Sequence, residues 1–320
     1  MNICVTYLII TLALVVLELG YFALAAKLGI VDNPNARSSH KRVVLRGGGV
    51  VFVFGAWLWA AFFGLQYPWF MAGLTLIAAV SFADDVHSLP DGIRLVVHFI
   101  AMALMFREAG ILQWNMWWVV AVAIIVCVGI LNAYNFMDGI NGITGAYTLA
   151  VATPLLALKP ISVTLIVVTI LADLVFCFFN FRKRARCFAG DVGSMSIAFV
   201  LVFAVGSLII STGDICYLML LAVYGTDSAL TIVHRIMLHE NLGQAHRKHA
   251  YQIMANELHM PHLLVSGIYA VLQLIISAGL LWLPVNHYLY SAVVLAVLFL
   301  GYLLFMKKYY HLHEEYLKNN

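Results

Sequence analysis

The chain is 320 residues long, 63% hydrophobic and only 10% charged, with a formal net charge of +3 and a mean hydropathy of +0.95. Soluble globular chains are about a quarter charged, so too little charge is present to cover a water-facing surface. A soluble enzyme, a nucleic-acid-binding protein and a disordered chain are excluded, and the solvent must be mostly the lipid bilayer.

One spanning helix takes about 20 residues, so this length admits about ten crossings. The apolar runs are continuous and rich in Leu, Ile, Val and Ala, without the alternation of barrel strands. The fold class expected is an all-α polytopic membrane protein. In chain order the runs predict eleven transmembrane helices, over 3–26, 48–65, 68–84, 93–107, 115–133, 142–158, 161–180, 194–212, 215–235, 262–283 and 288–307. The first run lacks a basic flank and a cleavage site, so it reads as a retained helix. Tyr67-Pro68, Lys159-Pro160, Thr212-Gly213-Asp214 and Pro284 mark sharp turns. The five cysteines form no CxxC pair and read as small core residues.

Of the eighteen Lys and Arg, sixteen fall on one side of this topology; only Arg107 and Lys159 fall on the other. The positive-inside rule makes the rich side cytoplasmic. The N-terminus is then outside and the C-terminus inside, which an odd number of crossings requires. Most acids and all histidines but His287 share the cytoplasmic side, a bias that topology alone does not predict. The expectation is a single integral-membrane domain over 1–320 with a polar site built from cytoplasmic loops at about 27–47, 84–94, 134–145, 181–193 and 236–261.

Five segments carry candidate chemistry. Asp32, Asn35, Arg37 and His40 precede the glycine triplet 47–49. Asp84 and Asp85 sit where the third helix leaves the bilayer; adjacent carboxylates repel, and Mg²⁺ is the natural hard-cation partner. Asn132, Asn135 and Asp138 recur every third residue and share a helix face, with Gly139 and Gly142 following. Gly190-Asp191-Val192-Gly193-Ser194 opens a helix, where exposed amides suit phosphate and Ser194 is a cap candidate. His246, Arg247 and His249 supply hydrogen bonds suited to phosphates or a nucleotide. Each segment alone also reads as an ordinary helix end, cap or basic juxtamembrane loop.

Their joint order along the chain resembles the polyprenyl-phosphate N-acetylhexosamine-1-phosphate transferases, including glycosyltransferase family 4 and its undecaprenyl-phosphate GlcNAc-1-phosphate transferase branch. The family's D-x-P-N-x-R-x-x-H…GG opening falls on Asp32, Pro34, Asn35, Arg37, His40, Gly47 and Gly48. Its aspartate pair falls on Asp84 and Asp85, and its N-x-x-N-x-x-D-G on Asn132, Asn135, Asp138 and Gly139. F-x-G-D-x-G-S falls on Phe188, Gly190, Asp191, Gly193 and Ser194, with Asn180 upstream, and A-H-R-x-H-x-Y-Q on His246, Arg247, His249, Tyr251 and Gln252. Two positions depart from the pattern: Asn141 stands where a second aspartate is common, and Arg182 to Arg186 where Pro-Ala is common.

The resemblance implies an Mg²⁺-dependent enzyme (Mn²⁺ substituting) that moves an N-acetylhexosamine 1-phosphate from a UDP-sugar to undecaprenyl phosphate. It implies release of UMP at the cytoplasmic face of a bacterial inner membrane, starting a cell-envelope glycan; a homodimer is compatible with it. By that resemblance Asp191 and Asp85 are the metal candidates, and Asp84, Asp85 and Asp191 the catalytic set. Asp32 and Arg37 are directed at the lipid phosphate. Asn132, Asn135, Asp138 and Asn180 are directed at the nucleotide, and His246, Arg247 and His249 at the sugar diphosphate. A phospho-N-acetylmuramoyl-pentapeptide transferase is the alternative within the family, although its triple-histidine run is here Ala-His-Arg-Lys-His. A proton-coupled transporter using Glu18, Asp173 and Asp227 is the rival from another class. Its polar groups should gather at mid-membrane and show an internal repeat, and neither is seen.

Overall fold

The structure, a computed structural model, describes residues 2–34, 39–40, 42–112, 114–244 and 246–319. Helix α1 (Ile3–Leu28) leads through a small antiparallel pair, β1 (Val31–Asp32) and β2 (Val44–Leu45), into α2 (Val50–Phe63). Then follow α3 (Pro68–Val86), α4 (Asp91–Glu108), α5 (Trp117–Phe136), α6 (Ile143–Leu158), α7 (Val163–Asn180) and α8 (Gly190–Thr212). The chain ends with α9 (Ala222–Met237), the short α10 (Ala250–Asn256), α11 (His262–Trp282) and α12 (His287–Asn319). Short 3₁₀ turns at Trp114–Met116 and Ile215–Leu221 precede α5 and α9.

The protein is therefore an all-α polytopic membrane protein, with every expected apolar run folded as a helix. By length and composition, eight helical stretches among the described residues are able to cross a membrane; α2 and α6 are apolar but shorter. Helix α8 is the central post. Every residue from Val192 to Val205 is buried, as suits a helix that is hydrophobic all round. The lipid-facing helices keep large side chains outside, such as Leu8, Leu12 and Val16 on α1.

Three expected boundaries move, each for a physical reason. Helix α8 starts at Gly190 rather than 194, and Ser194 is not its cap. The Asp85 carboxylate reaches across from α3 to accept the amides of Asp191 at 2.9 Å and Val192 at 3.0 Å. It thus satisfies the orphan donors of that helix start from another element. The expected last helix, 288–307, runs on to Asn319 because its polar extension has something to pack against. Tyr309 and Tyr310 pack against a cluster of Ala250, Ile253, Tyr302 and Met306, and His313 Nδ1 lies 2.9 Å from Glu257 Oε1. Helix α10, in the loop 236–261, is the third: it starts at the His249 cap, whose backbone amide donates to the Gln252 side chain.

What positions the candidate site is a close crossing of α2 and α8. Gly48 and Gly49 donate their amides to the carbonyls of Phe188, at 2.8 Å, and Ala189, at 3.0 Å. A side chain at Gly193 would put its Cβ 2.6 Å from Gly49 Cα, so only glycine permits this approach. The crossing brings the 44–49 segment against the start of α8. Hydrogen bonds from Tyr251 to the Phe136 carbonyl, Asn141 to the Arg182 carbonyl and Arg46 to Asp85 tie all five expected loops together at one end of the bundle.

Candidate active site

Three carboxylates and two guanidiniums alternate at the centre of that end. Arg46 Nε donates to Asp85 Oδ1 at 2.6 Å, and its Nη2 lies 3.3 Å from Asp191 Oδ1. Arg94 Nη2 donates to the other Asp191 oxygen at 3.0 Å, while Nη1 lies 3.0 Å from Asp84 Oδ2. Asp191 thus stands between two arginines, and each arginine is shared with a member of the Asp84–Asp85 pair. Burial works against the Arg46 charge, but Asp85 and Asp191 outweigh it and hold the guanidinium above its ordinary range. Both arginines read in the sequence as topology charges. Nothing in their spacing announced that they partner the aspartates, which come from α3 and α8.

Two cavities flank this ladder. The first, about 360 Å³, is lined by Asp32, His40, Arg46, Asn135, Asp138, Asn141, Asp191, His246, Gln252 and His262, with Ser39, Ile140 and Phe188 among others. The second, about 530 Å³, is lined by Asp91, Arg94, Leu95, His98, Asn132, Asn135, Phe136, Leu242, His246, His249 and Gln252 among others. Asn135, His246 and Gln252 belong to both and form the wall between them. Asn135 is held there by the Ser194 hydroxyl, which donates to its Oδ1 at 2.8 Å. Burial pushes Asp138 up to about 6, against the pull of the Thr144 hydroxyl that donates to it at 2.5 Å. Burial, with His249 and Arg235 adding to it, lowers His246 to about 3, so its imidazole is neutral at physiological pH.

Other expected site residues are used differently. Asp85 and Asp84 line neither cavity: Asp85 is the α8 cap, and Asp84 accepts the Leu89 amide at 2.6 Å behind Arg94. Asn180 is buried away from the cavities. It accepts the Gly142 amide at 2.7 Å and donates to the Cys187 carbonyl at 2.8 Å, pinning two loops. Arg247 turns its back on the cavities, pairing with Glu257 at 2.8 Å and covering the Tyr316 ring at 4.1 Å. Lys248 pairs with Glu240. His246 and His249 are therefore the members of that run that face the cavities. His249 Nδ1 lies 3.3 Å from Asp227 Oδ1 on α9. Asp32 is 3.8 Å from His40 at the first cavity, and Arg37 lies outside the described residues. The residues that the sequence reading missed, besides the arginines, are His98 and His262 at the cavity walls; Gln252, named there only as the end of a motif, lines both cavities.

Among the described residues no group of three or more His, Cys, Asp or Glu is arranged to hold a metal ion. Mg²⁺ commonly takes only one or two carboxylates and completes its shell with water and substrate phosphate. Asp191 fits that description: it lines the first cavity, and each of its oxygens takes a single arginine donor, which leaves a lone pair on each. Asp85 does not, because two amides and a guanidinium already occupy its oxygens.

Residues 67–210 match glycosyl transferase family 4. The chain is 23% identical to a probable undecaprenyl-phosphate N-acetylglucosaminyl 1-phosphate transferase of Bacillus subtilis (strain 168), over 88% of this chain and 87% of the relative. It is 25% identical to the undecaprenyl-phosphate alpha-N-acetylglucosaminyl 1-phosphate transferase of Yersinia pestis, over 56% of this chain and 55% of the relative. A phospho-N-acetylmuramoyl-pentapeptide-transferase of Deinococcus radiodurans is 33% identical, but over only 35% of this chain and 33% of its own length. These matches, and a bundle whose motifs converge at one end, support the likeness to glycosyl transferase family 4, the polyprenyl-phosphate hexosamine-1-phosphate transferases.

Proposed function

We propose that this protein transfers an N-acetylhexosamine 1-phosphate, with GlcNAc the first candidate, from a UDP-sugar to undecaprenyl phosphate. The carrying observation is the pair of cavities that share a wall at Asn135, His246 and Gln252. One is mostly polar, with Ile140 and Phe188 the apolar members of its lining. The other has Leu95, Phe136 and Leu242 among its lining, all three exposed on the outside of the bundle. A water-soluble donor and a lipid acceptor need such unlike entrances to one reaction centre. The basic residues gathered at this end support a cytoplasmic face of the bacterial inner membrane, with the product starting a cell-envelope glycan.

In the reaction an oxygen of the acceptor phosphate bonds to the sugar-bearing phosphorus. The bond from that phosphorus to the bridging oxygen breaks, and its electron pair leaves on UMP. Both partners are anions, so the work of the protein is positioning and charge neutralisation. Asn135 and Gln252, fixed at the shared wall, orient the two groups where they meet. Neutral His246 offers a hydrogen bond without adding charge. Mg²⁺ is the metal proposed, held through Asp191, where it would neutralise charge on the donor phosphates.

A pentapeptide donor is the less favoured reading. Arg247 and Lys248 interrupt the histidine run and are committed to Glu257 and Glu240. The test is UMP release by the purified protein in nanodiscs holding undecaprenyl phosphate, with a panel of UDP-sugars. Turnover with UDP-N-acetylmuramoyl-pentapeptide alone would move the protein to that branch; no UMP from any sugar would end the transferase reading.

A further inference from the structure

The ladder divides between the cavities. Arg46 lines the smaller one and Arg94 the larger, and they hold opposite oxygens of the same carboxylate, Asp191. A guanidinium carries five N–H donors. Two ion pairs therefore leave each arginine with donors to spare for an anion in its own cavity.

The larger cavity carries a second, independent sign of a ligand. His98, one turn after Arg94 on α4, is 2% exposed, and its Nδ1 has no hydrogen-bond partner among the described residues. His249 Nε2, buried in the same wall, also lacks one. Buried polar atoms are ordinarily satisfied, and leaving one unpaired is costly. Two orphaned imidazole nitrogens beside an arginine describe a place for an oxyanion. The apolar Leu95, on the same helix, extends that place toward lipid rather than water.

We propose that Arg94 and His98 hold the phosphate of the polyprenyl acceptor, with His249 opposite them. On the same proposal Arg46 holds the diphosphate of the nucleotide sugar, and Asp191 keeps the two guanidiniums, and so the two phosphates, in register. This rests on the transferase reading but is tested apart from it. Charge balance favours the arrangement: a dianionic acceptor phosphate needs no base to attack, only cations that cancel its repulsion with the donor.

Equilibrium binding of undecaprenyl phosphate, UDP-GlcNAc and UMP to the protein in nanodiscs reads the division directly. Losing a charge-assisted hydrogen bond weakens binding by about tenfold or more. Arg94→Ala and His98→Ala are expected to lose that much for undecaprenyl phosphate, with UMP and UDP-GlcNAc affinity within about twofold of wild type. Arg46→Ala is expected to show the reverse, and KM values for the two substrates should split the same way. His98 is outside the ladder, so His98→Ala carries the test even where an arginine variant does not fold. Unchanged lipid affinity in His98→Ala, or equal losses for both ligands in Arg94→Ala, would overturn the proposal. If wild type binds both ligands and releases no UMP, it is the transferase reading that fails, while the division is still read from binding.

Discussion

Asn141 donates from Nδ2 to the carbonyl oxygen of Arg182 at 3.1 Å, and approaches that of Lys183 at 3.5 Å. The two places where this sequence departs from the family that it resembles, an amide for a second aspartate and a basic run for Pro-Ala, are thus one contact. Asn141→Asp would aim a carboxylate at two carbonyl oxygens and replace a donor by an acceptor. Leaving such buried groups unpaired costs about 1–3 kcal/mol, so the thermal midpoint of the detergent-solubilised protein should fall. An unchanged midpoint would show that the basic run does not depend on the amide.

The motifs were legible because they are local. Asn132, Asn135 and Asp138 announce a polar stripe by their spacing alone, and it does reach the cavities. The division of labour was not legible, because it depends on partners far apart in sequence. Asp85 looked like half of a metal pair, yet it caps α8 from α3. Arg247 looked like a phosphate ligand, yet Glu257 and Tyr316 claim it from the other side of the loop. The α12 extension escaped notice for the same reason. Its sequence turns polar after Met306, and only the packing of Tyr309 and Tyr310 on the cluster that α12 shares with α10, with His313 on Glu257, explains why the helix continues.

Arg247 and Glu257 are both buried, and Glu257 also takes His313 at 2.9 Å. Breaking a buried pair by removing one partner costs about 3–5 kcal/mol, so Arg247→Ala should destabilise strongly. Glu257→Ala should then cost less in the Arg247→Ala background than in wild type, by about 0.5–3 kcal/mol of coupling. Thermal unfolding of both single variants and the double variant measures this. Strictly additive losses would mean that Arg247 is not held by Glu257.

The glycines of α8 make a controlled comparison. A Cβ at Gly193 meets Gly49 backbone, whereas one at Gly206 meets nothing within 4 Å. Overpacking of about 1–3 kcal/mol or more is expected for Gly193→Ala, since backbone cannot swing aside. Gly206→Ala gains up to about 1 kcal/mol of helix propensity. The two should separate in folded yield and in thermal midpoint, and the Gly193 variant should also lose UMP release because Arg46 no longer reaches Asp191. Equal behaviour would mean that the α2–α8 crossing does not need its glycines.

Burial raises Asp138 from the ordinary 3.8 to about 6. The sign follows from proton binding: the folded state binds the proton more tightly than the unfolded state does. Between about pH 4 and 6 the folded protein is the more protonated, and stability falls as pH rises through that window. Above about pH 6 the ionised carboxylate is buried at full cost, about 3 kcal/mol for a shift of about two units. Asp138→Asn keeps the shape, and an amide has no proton to lose. Its thermal midpoint, plotted against pH from 4 to 7, should therefore decline less than that of wild type. The other groups are common to both proteins, so the difference between the profiles reads the carboxyl at 138 together with its coupling to Asp85, Arg46 and Asp32. Parallel profiles would show that Asp138 ionises as freely in the fold as in water.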